Sequence, residues 1–143
     1  MLTMTIKIKK LEPDAILPRY AHPGDVGLDL FSREECVIPP GGHHLFSLGF
    51  ALEFPNGYMA KVMDKGGVAK EGVHALGGVF DAGYRGDYLI HLVNHGDKPF
   101  EVKKGQKIAQ LVMLPVEIVA IEEAQELSTS ARGEGKFGST GKF

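Results

Sequence analysis

The sequence predicts an all-β domain of the sandwich, jelly-roll or barrel kind, and three observations support that prediction. Short apolar or alternating segments recur along the chain, and turn signals separate them about every 8–12 residues. Helical periodicity is nearly absent. Glycine accounts for 19 of the 143 residues, which is about 13% against a usual ~7%. Its runs fall between the apolar segments, where tight turns or a close approach of backbone to a ligand require it.

The predicted strands follow one another from the start of the chain. Thr3–Lys9 alternates apolar and basic residues, which is the period of a half-buried strand. After a Pro-Pro-Gly-Gly turn at 39–42, the strands His44–Phe54 and Tyr58–Met63 are joined through the turn residues at 55–57. The other predicted strands are Gly27–Ser32, Leu76–Phe80, Tyr88–Val93, Lys107–Leu114 and Glu117–Ile121.

Helix is predicted only in short pieces, near Val68–Glu71 and as a single turn within Glu122–Leu127. From Ser128 onward the chain is basic and rich in Gly, Ser and Thr, without apolar periodicity. Such a segment buries too little apolar surface to fold alone. We therefore expect a β-barrel domain over residues 1–127 and a flexible C-terminal arm over residues 128–143.

Composition excludes several classes of protein. A chain of 143 residues suits one domain, and a net charge of −2 argues against a general nucleic-acid binder. The single cysteine, Cys36, excludes an internal disulfide framework. No apolar run approaches the ~20 residues that span a bilayer, the start is unlike a signal peptide, and the six histidines lack metal-ligand spacing. We expect a soluble, cytoplasmic protein without nucleic-acid or membrane partners.

The segment Leu76–Asp87 brings a carboxylate, a phenol and a guanidinium to one predicted hairpin, as Asp81, Tyr84 and Arg85. A carboxylate in that position can orient or deprotonate a water molecule. The alternative interpretation is that Asp81 caps the turn by accepting hydrogen bonds from backbone amides. These residues alone leave both interpretations open.

Two further segments are candidates for binding an anion. In Met63–Gly72, two glycines beside Lys65 lead into the short helix, where exposed amides and an ammonium group suit phosphate. In the arm, cations and hydroxyls surround the single aromatic Phe137, a combination that suits a lid closing over a nucleotide. The alternatives are a glycine turn beside solvated lysines and a frayed, idle terminus.

Taken together and in order, these segments resemble the five motifs of the trimeric deoxyuridine triphosphate nucleotidohydrolases (dUTPases). The second motif, DKGGVA, and the third, GGVFDAGYRG, lie around the candidate carboxylate and the glycine turn. The five matching segments are Pro18–Ser32, Asp64–Ala69, Gly77–Gly86, Gly105–Val112 and Arg132–Gly141. The resemblance covers nearly the whole chain from Pro18.

This resemblance implies a jelly-roll or β-barrel subunit with one short helix, in a homotrimer whose active sites are shared between chains. It implies hydrolysis of dUTP to dUMP and pyrophosphate, which keeps dUTP low and supplies dUMP for dTMP synthesis. It also implies Mg²⁺ as cofactor, bound mainly by the triphosphate. Cleavage of a phosphoanhydride needs an oriented water and neutralised charge, which these segments can supply.

The resemblance also assigns roles. Asp81 matches the residue that orients the attacking water, and Asp29 matches a carboxylate that acts on the metal indirectly, through water. The expected deoxyuridine-binding residues are Leu76, Gly77, Gly78, Tyr84 and Phe137. The expected phosphate-binding residues are Lys65, Gly66, Gly67, Gln110, Arg132, Gly138, Ser139 and Thr140.

Three departures bear on these roles. The second motif usually carries serine where Gly66 stands, so a phosphate-binding hydroxyl is missing, and Lys65 provides a point charge where arginine could bind bidentately. Lys136 stands where glycine is usual. Two alternatives therefore remain beside the dUTPase hypothesis: a dCTP deaminase, whose expected glutamate is replaced here by His91, and a catalytically silent dUTP-binding homologue.

Overall fold

The computed structural model describes residues 4–143, which form eleven strands and one helix of a single turn. The all-β prediction is confirmed. The elements are β1 (Lys7–Lys10), β2 (Gly27–Phe31), β3 (Cys36–Ile38), β4 (His43–Ser47), β5 (Phe50–Glu53), β6 (Tyr58–Met63), α1 (Gly66–Ala69), β7 (Val73–Leu76), β8 (Val79–Asp81), β9 (Leu89–Asn94), β10 (Phe100–Val102) and β11 (Lys107–Pro115).

Two antiparallel sheets and two strand pairs build a β-barrel of the jelly-roll type. The larger sheet has the order β2-β11-β6-β8, and the smaller has the order β4-β9-β7. The pairs are β1 with β5 and β3 with β10. Because β11 pairs with both β2 and β6, it lies at the centre of the larger sheet and brings distant parts of the sequence together.

The core lies inside the barrel and follows the alternation of strand residues. In β9, Ile90 and Leu92 are buried while Leu89 faces outward, the pattern expected of a strand with one face in the core. All five residues of β2 are buried. The largest fully buried side chains include Tyr88, Phe46, Phe50, Leu30, Ile38, Leu48 and Ile108.

Two of the predicted strands are interrupted by glycine. The segment His44–Phe54 divides into β4 and β5 at Leu48–Gly49, where Gly49 has φ +75°, a conformation that breaks a strand. The segment Leu76–Phe80 divides at Gly77-Gly78 into β7 and β8, which pair with different neighbours. The chain passes here from one sheet to the other. The hairpin predicted around Asp81 and Tyr84 is wrong, because β8 pairs with β6 whereas β9 pairs with β4 and β7.

The strand predicted at Glu117–Ile121 and the helical turn predicted within Glu122–Leu127 are also wrong. The last strand ends at Pro115, and residues 117–127 are exposed and without regular structure. The sequence missed the short strands β3 and β10. The first predicted strand is realised as β1, and its initial residue, Thr3, lies outside the described residues. Within residues 4–143, no helix has the length and apolar character needed to cross a membrane.

Candidate active site

Asp81 ends β8 and begins the turn that carries Tyr84. Its backbone carbonyl accepts a hydrogen bond from the Tyr84 amide at 3.1 Å. Its side chain is exposed and makes no hydrogen bond with any of residues 4–143. The turn is thus closed by the backbone of Asp81, not by its carboxylate. This geometry favours the interpretation in which the carboxylate serves a ligand or a water molecule.

Tyr84 is held in place from both ends of its side chain. Its hydroxyl donates a hydrogen bond to the carbonyl of Asp87 at 2.7 Å, and its ring lies 5.7 Å from the ring of Phe80. Gly86 leaves room for this arrangement, because a Cβ there would lie 2.5 Å from the Tyr84 hydroxyl oxygen. The exposed face of Tyr84 is therefore fixed beside Asp81.

An aromatic stack supports the turn that carries Asp81 and Tyr84 from inside the barrel. Phe80 stacks on Tyr88 at 4.1 Å, and Tyr88 stacks on Phe50 at 5.5 Å. Tyr88 is fully buried, and its hydroxyl finds no hydrogen-bond partner in the described part of the chain. Burial raises the pKa of Tyr88, so this phenol stays protonated and contributes its ring to packing.

The glycines at 77 and 78 form a fixed corner between the two sheets. The carbonyl of Gly77 accepts a hydrogen bond from Lys61 Nζ at 2.6 Å, and the carbonyl of Gly78 accepts one from the Val62 amide at 2.8 Å. Gly78 has φ +87°, and a Cβ there would lie 3.0 Å from Val62. Leu76, at the end of β7, precedes this corner and is exposed. The corner therefore presents backbone groups in a fixed geometry, as recognition of the edge of a base requires.

A second cluster forms around Asp29, which is 3% exposed in β2. Lys65 Nζ lies 2.6 Å from one of its carboxylate oxygens, and Lys107 Nζ lies 2.8 Å from the other. Burial by itself raises the pKa of Asp29, but Lys107 and Lys65 outweigh it, so the pKa lies below its usual value. Asp29 is consequently ionised at neutral pH, and it holds two cations at the surface.

Gln110 lies in β11 directly opposite Asp29 in β2. Its side-chain amide donates a hydrogen bond to the carbonyl of Asp64 at 2.8 Å. Gly27 makes space for it, since a Cβ at that position would lie 2.1 Å from Gln110 Oε1. Gly66 and Gly67, at the start of α1, are exposed, and a Cβ on either would meet nothing within 4 Å. The structure thus brings together the predicted residues Asp29, Lys65, Gly66, Gly67 and Gln110.

Lys107 and Asp64 also belong to this cluster, although they were not among the predicted site residues. Lys107 lies within the fourth motif, three positions before Gln110, so its basic side chain was a visible signal. The contacts of Asp64 depend on the pairing of β6 with β11 and on the approach of β7, which no local pattern reveals.

Asp81 and the Asp29 cluster lie at opposite ends of β6. Asp81 pairs with Met59 of that strand, whereas Gln110 pairs with Met63. Four residues of strand separate the two positions by about 13 Å, at ~3.3 Å per residue. A group that binds a phosphate oxygen must lie within about 3 Å of it, so one phosphate group cannot contact both ends within one chain.

The C-terminal arm contributes to neither end in the single chain. Arg132 Nε donates a hydrogen bond to the carbonyl of Gly135 at 2.9 Å, and the Ser139 amide donates to Lys136. Phe137 is fully exposed. Gly138, Ser139 and Thr140 are exposed as well. The arm therefore folds into local turns, and its predicted ligand-binding groups face solvent.

The histidines form one close pair that their sequence spacing did not reveal. His43 in β4 and His91 in β9 place their ring nitrogens 2.8 Å apart. Across residues 4–143 there is no group of three or more His, Cys, Asp or Glu side chains arranged to hold a metal ion.

Comparisons with known proteins agree on one family. The dUTPase family model matches residues 13–141. A deoxyuridine 5'-triphosphate nucleotidohydrolase of Clostridium tetani (strain Massachusetts / E88) is 51% identical, over 99% of this chain and 100% of that protein. The protein of the same name from Clostridioides difficile is 49% identical, over 95% of this chain and 97% of that one.

Solved structures give the same result for the fold. The dUTPase of Staphylococcus bacteriophage 80alpha with dUPNHPP has a TM-score of 0.89 and 28% identity, over 96% of this chain and 98% of that one. A variant dUTPase of phage phi11 of S. aureus, described with a structural Mg(II) ion, has a TM-score of 0.80 and 23% identity, over 87% and 99% of the two chains.

Proposed function

The chain belongs to the dUTPase family, and we propose that it hydrolyses dUTP to dUMP and pyrophosphate through a water molecule that Asp81 orients. The observation that supports this mechanism is the exposed Asp81 carboxylate, free of hydrogen bonds to residues 4–143, beside the fixed ring of Tyr84. The water oxygen bonds to the α-phosphorus and gives up a proton to the Asp81 carboxylate as the bond to the bridging oxygen breaks. Pyrophosphate leaves with the electron pair of that bond.

Deoxyuridine binds at the corner between the sheets in this proposal. The backbone of Leu76, Gly77 and Gly78 reads the edge of uracil, and two hydrogen bonds from β6 hold that backbone in place. Tyr84 packs against the deoxyribose, where a ribose 2′-hydroxyl would collide with the ring. Because the ring is fixed by Phe80 and by its bond to Asp87, it cannot move aside for that hydroxyl at low cost.

The triphosphate binds at the Asp29 cluster. Lys65 supplies positive charge, Gln110 supplies polar contact, and Gly66 and Gly67 allow close approach of the phosphates. The second-motif hydroxyl is absent, but the space for it is open. Asp29 keeps Lys65 and Lys107 in position instead of binding phosphate, because a buried carboxylate would repel that anion.

The exposed arm supports an active site shared between chains, because its predicted ligand-binding groups contact neither Asp81 nor the Asp29 cluster of their own chain. We propose a homotrimer in which the arm of residues 128–143 reaches a neighbouring site. There Arg132, Gly138, Ser139 and Thr140 would bind phosphates, and Phe137 would stack on uracil and exclude water.

Mg²⁺ remains the proposed cofactor, carried on the triphosphate, whose oxygens suit this ion. Asp29 does not fit a direct ligand, since both of its oxygens face lysine ammonium groups. Its effect on the metal is therefore indirect. When bound, Mg²⁺ neutralises charge on the phosphates, and the side chains of this chain orient water and substrate.

The proposed reaction keeps dUTP low and supplies dUMP for dTMP synthesis. We propose that it acts in the cytoplasm, or in the interior of a host cell if the protein is viral. The division into a barrel domain at 1–127 and an arm at 128–143 remains a prediction.

The decisive experiment measures pyrophosphate release from dUTP, dCTP, dTTP and UTP, each with Mg²⁺. We expect release from dUTP alone and its loss, by at least 10²-fold, in Asp81→Asn. The exposed Asp97→Asn, at a carboxylate outside the site, is the matched control. Release from dCTP with uracil formed would instead indicate a bifunctional deaminase. Binding of dUTP without release of pyrophosphate would indicate a silent homologue.

A further inference from the structure

We propose that Asp64 is a positioning residue for the phosphate-binding end of the site, a role that rests on the proposed function. Asp64 is the first residue after β6 and directly precedes Lys65. Three hydrogen bonds converge on this one residue, from β7 and from β11. Asp64 thereby holds the loop that carries Lys65 and Gly66 against two other parts of the site.

The carboxylate of Asp64 binds β7. One oxygen accepts a hydrogen bond from the Ala75 amide at 2.6 Å, and the other lies 2.5 Å from His74 Nδ1. β6 belongs to the larger sheet and β7 to the smaller one. The contact therefore joins the two sheets at the point where β7 leads into the Leu76–Gly78 corner. The Asp64 side chain is 30% exposed, so its hydrogen bonds are only partly screened by water.

The backbone of Asp64 fixes Gln110. Its carbonyl accepts the bond from Gln110 Nε2 at 2.8 Å, while Gly27 packs against the other end of that amide. The orientation of Gln110 thus depends on the position of the Asp64 backbone, which the hydrogen bond donated by the Ala75 amide to the Asp64 carboxylate helps to hold. If that hydrogen bond is lost, the positions of Gln110 and Lys65 relative to each other are no longer fixed.

Errors of about 1 Å in the placement of such groups can cost 10²-fold in rate. The Leu76–Gly78 corner keeps its two hydrogen bonds from β6 when the Asp64 contact is lost, so the loss should affect groups that touch the phosphates more than groups that touch the base. This expectation separates a positioning role from a purely structural one, because general destabilisation of the fold would weaken all ligands alike.

The test compares Asp64→Ala, Asp64→Asn and Asp64→Glu with the wild type and with Asp97→Ala, which removes an exposed carboxylate outside the site. Steady-state kinetics give kcat and KM for dUTP. Calorimetry gives the affinity for dUMP and for the non-hydrolysable analogue dUpNHpp, and thermal unfolding gives Tm. Asp64→Asn keeps an acceptor for the Ala75 amide, whereas Asp64→Glu keeps the charge and displaces the carboxylate by one methylene.

We expect Asp64→Ala to lower kcat/KM for dUTP at least tenfold and to weaken dUpNHpp much more than dUMP. Asp64→Asn should recover most of the loss, and Asp64→Glu should remain impaired. If Asp64→Ala does not fold, the comparison of Asp64→Asn with Asp64→Glu is sufficient to test the positioning role. Equal weakening of dUMP and dUpNHpp, a lowered Tm with unchanged kcat/KM, or full activity in Asp64→Glu would each overturn the assignment. A wild-type chain inactive on dUTP would overturn the proposed function itself.

Discussion

Replacement of Asp29 by asparagine removes the charge that holds two lysines together. Asp29 is 3% exposed, and its carboxylate lies 2.6 Å from Lys65 and 2.8 Å from Lys107. Breaking a buried ion pair costs about 3–5 kcal/mol when the remaining charge stays buried. The two lysine side chains are 31% and 42% exposed, so they can turn into water. We therefore expect a loss of about 2 kcal/mol, or roughly 4–8 °C in Tm.

The effect of this substitution should depend on pH. In the folded protein the pKa of Asp29 lies below its ordinary value of 3.8. Ionised Asp29 therefore contributes its full stabilisation at every pH well above 3.8. The stabilisation is lost as the pH falls through the lower, folded-state pKa. The difference in stability between wild type and Asp29→Asn should therefore be constant near neutrality and shrink below about pH 4.

The assay is thermal and urea unfolding followed by circular dichroism between pH 7 and pH 3. Protein concentration must be held fixed, because assembly makes Tm depend on it. Asp25→Asn is the matched control, since Asp25 is exposed and asparagine can still accept its hydrogen bond from the His22 amide. An unchanged Tm at pH 7, or a difference that widens on acidification, would refute the assigned role of the Asp29 carboxylate.

Two further predictions concern packing and turnover. Tyr88→Phe should raise Tm, because it removes a fully buried hydroxyl with no hydrogen-bond partner among residues 4–143. An unsatisfied buried polar group costs about 1–3 kcal/mol of stability. A lowered Tm would show that this hydroxyl is hydrogen-bonded in the protein. Gly66→Ser should raise kcat for dUTP, because a Cβ at this position meets nothing within 4 Å, which leaves room for the added hydroxyl to bind phosphate. Unchanged or lower turnover would count against the alignment of the second motif.

The C-terminal arm is exposed in the single chain, as expected of a segment that acts on a neighbouring chain. Residues 117–143 follow the last strand without joining any sheet, and Phe137 is fully exposed. In the proposed trimer the arm gains its contacts only on a neighbouring site, so its closure can depend on bound nucleotide.

The sequence alone determined the fold class, because alternation of apolar residues and the spacing of turn signals are local properties. The motifs likewise singled out Asp81, Tyr84, Lys65 and Gln110 as candidate site residues, since each lies in a short segment whose order is visible along the chain. The dUTPase resemblance is confirmed by the family match over residues 13–141. It rested on those segments and needed no knowledge of how the strands pair.

Strand pairing decided the rest. The sequence could not show that Gly77 and Gly78 pass the chain from one sheet to the other, because both a hairpin and a corner use glycines with positive φ. Nor could it show that Lys107 reaches Asp29 or that Asp64 reaches β7. Those contacts join residues that are far apart in the chain, and the packing of the two sheets brings them together.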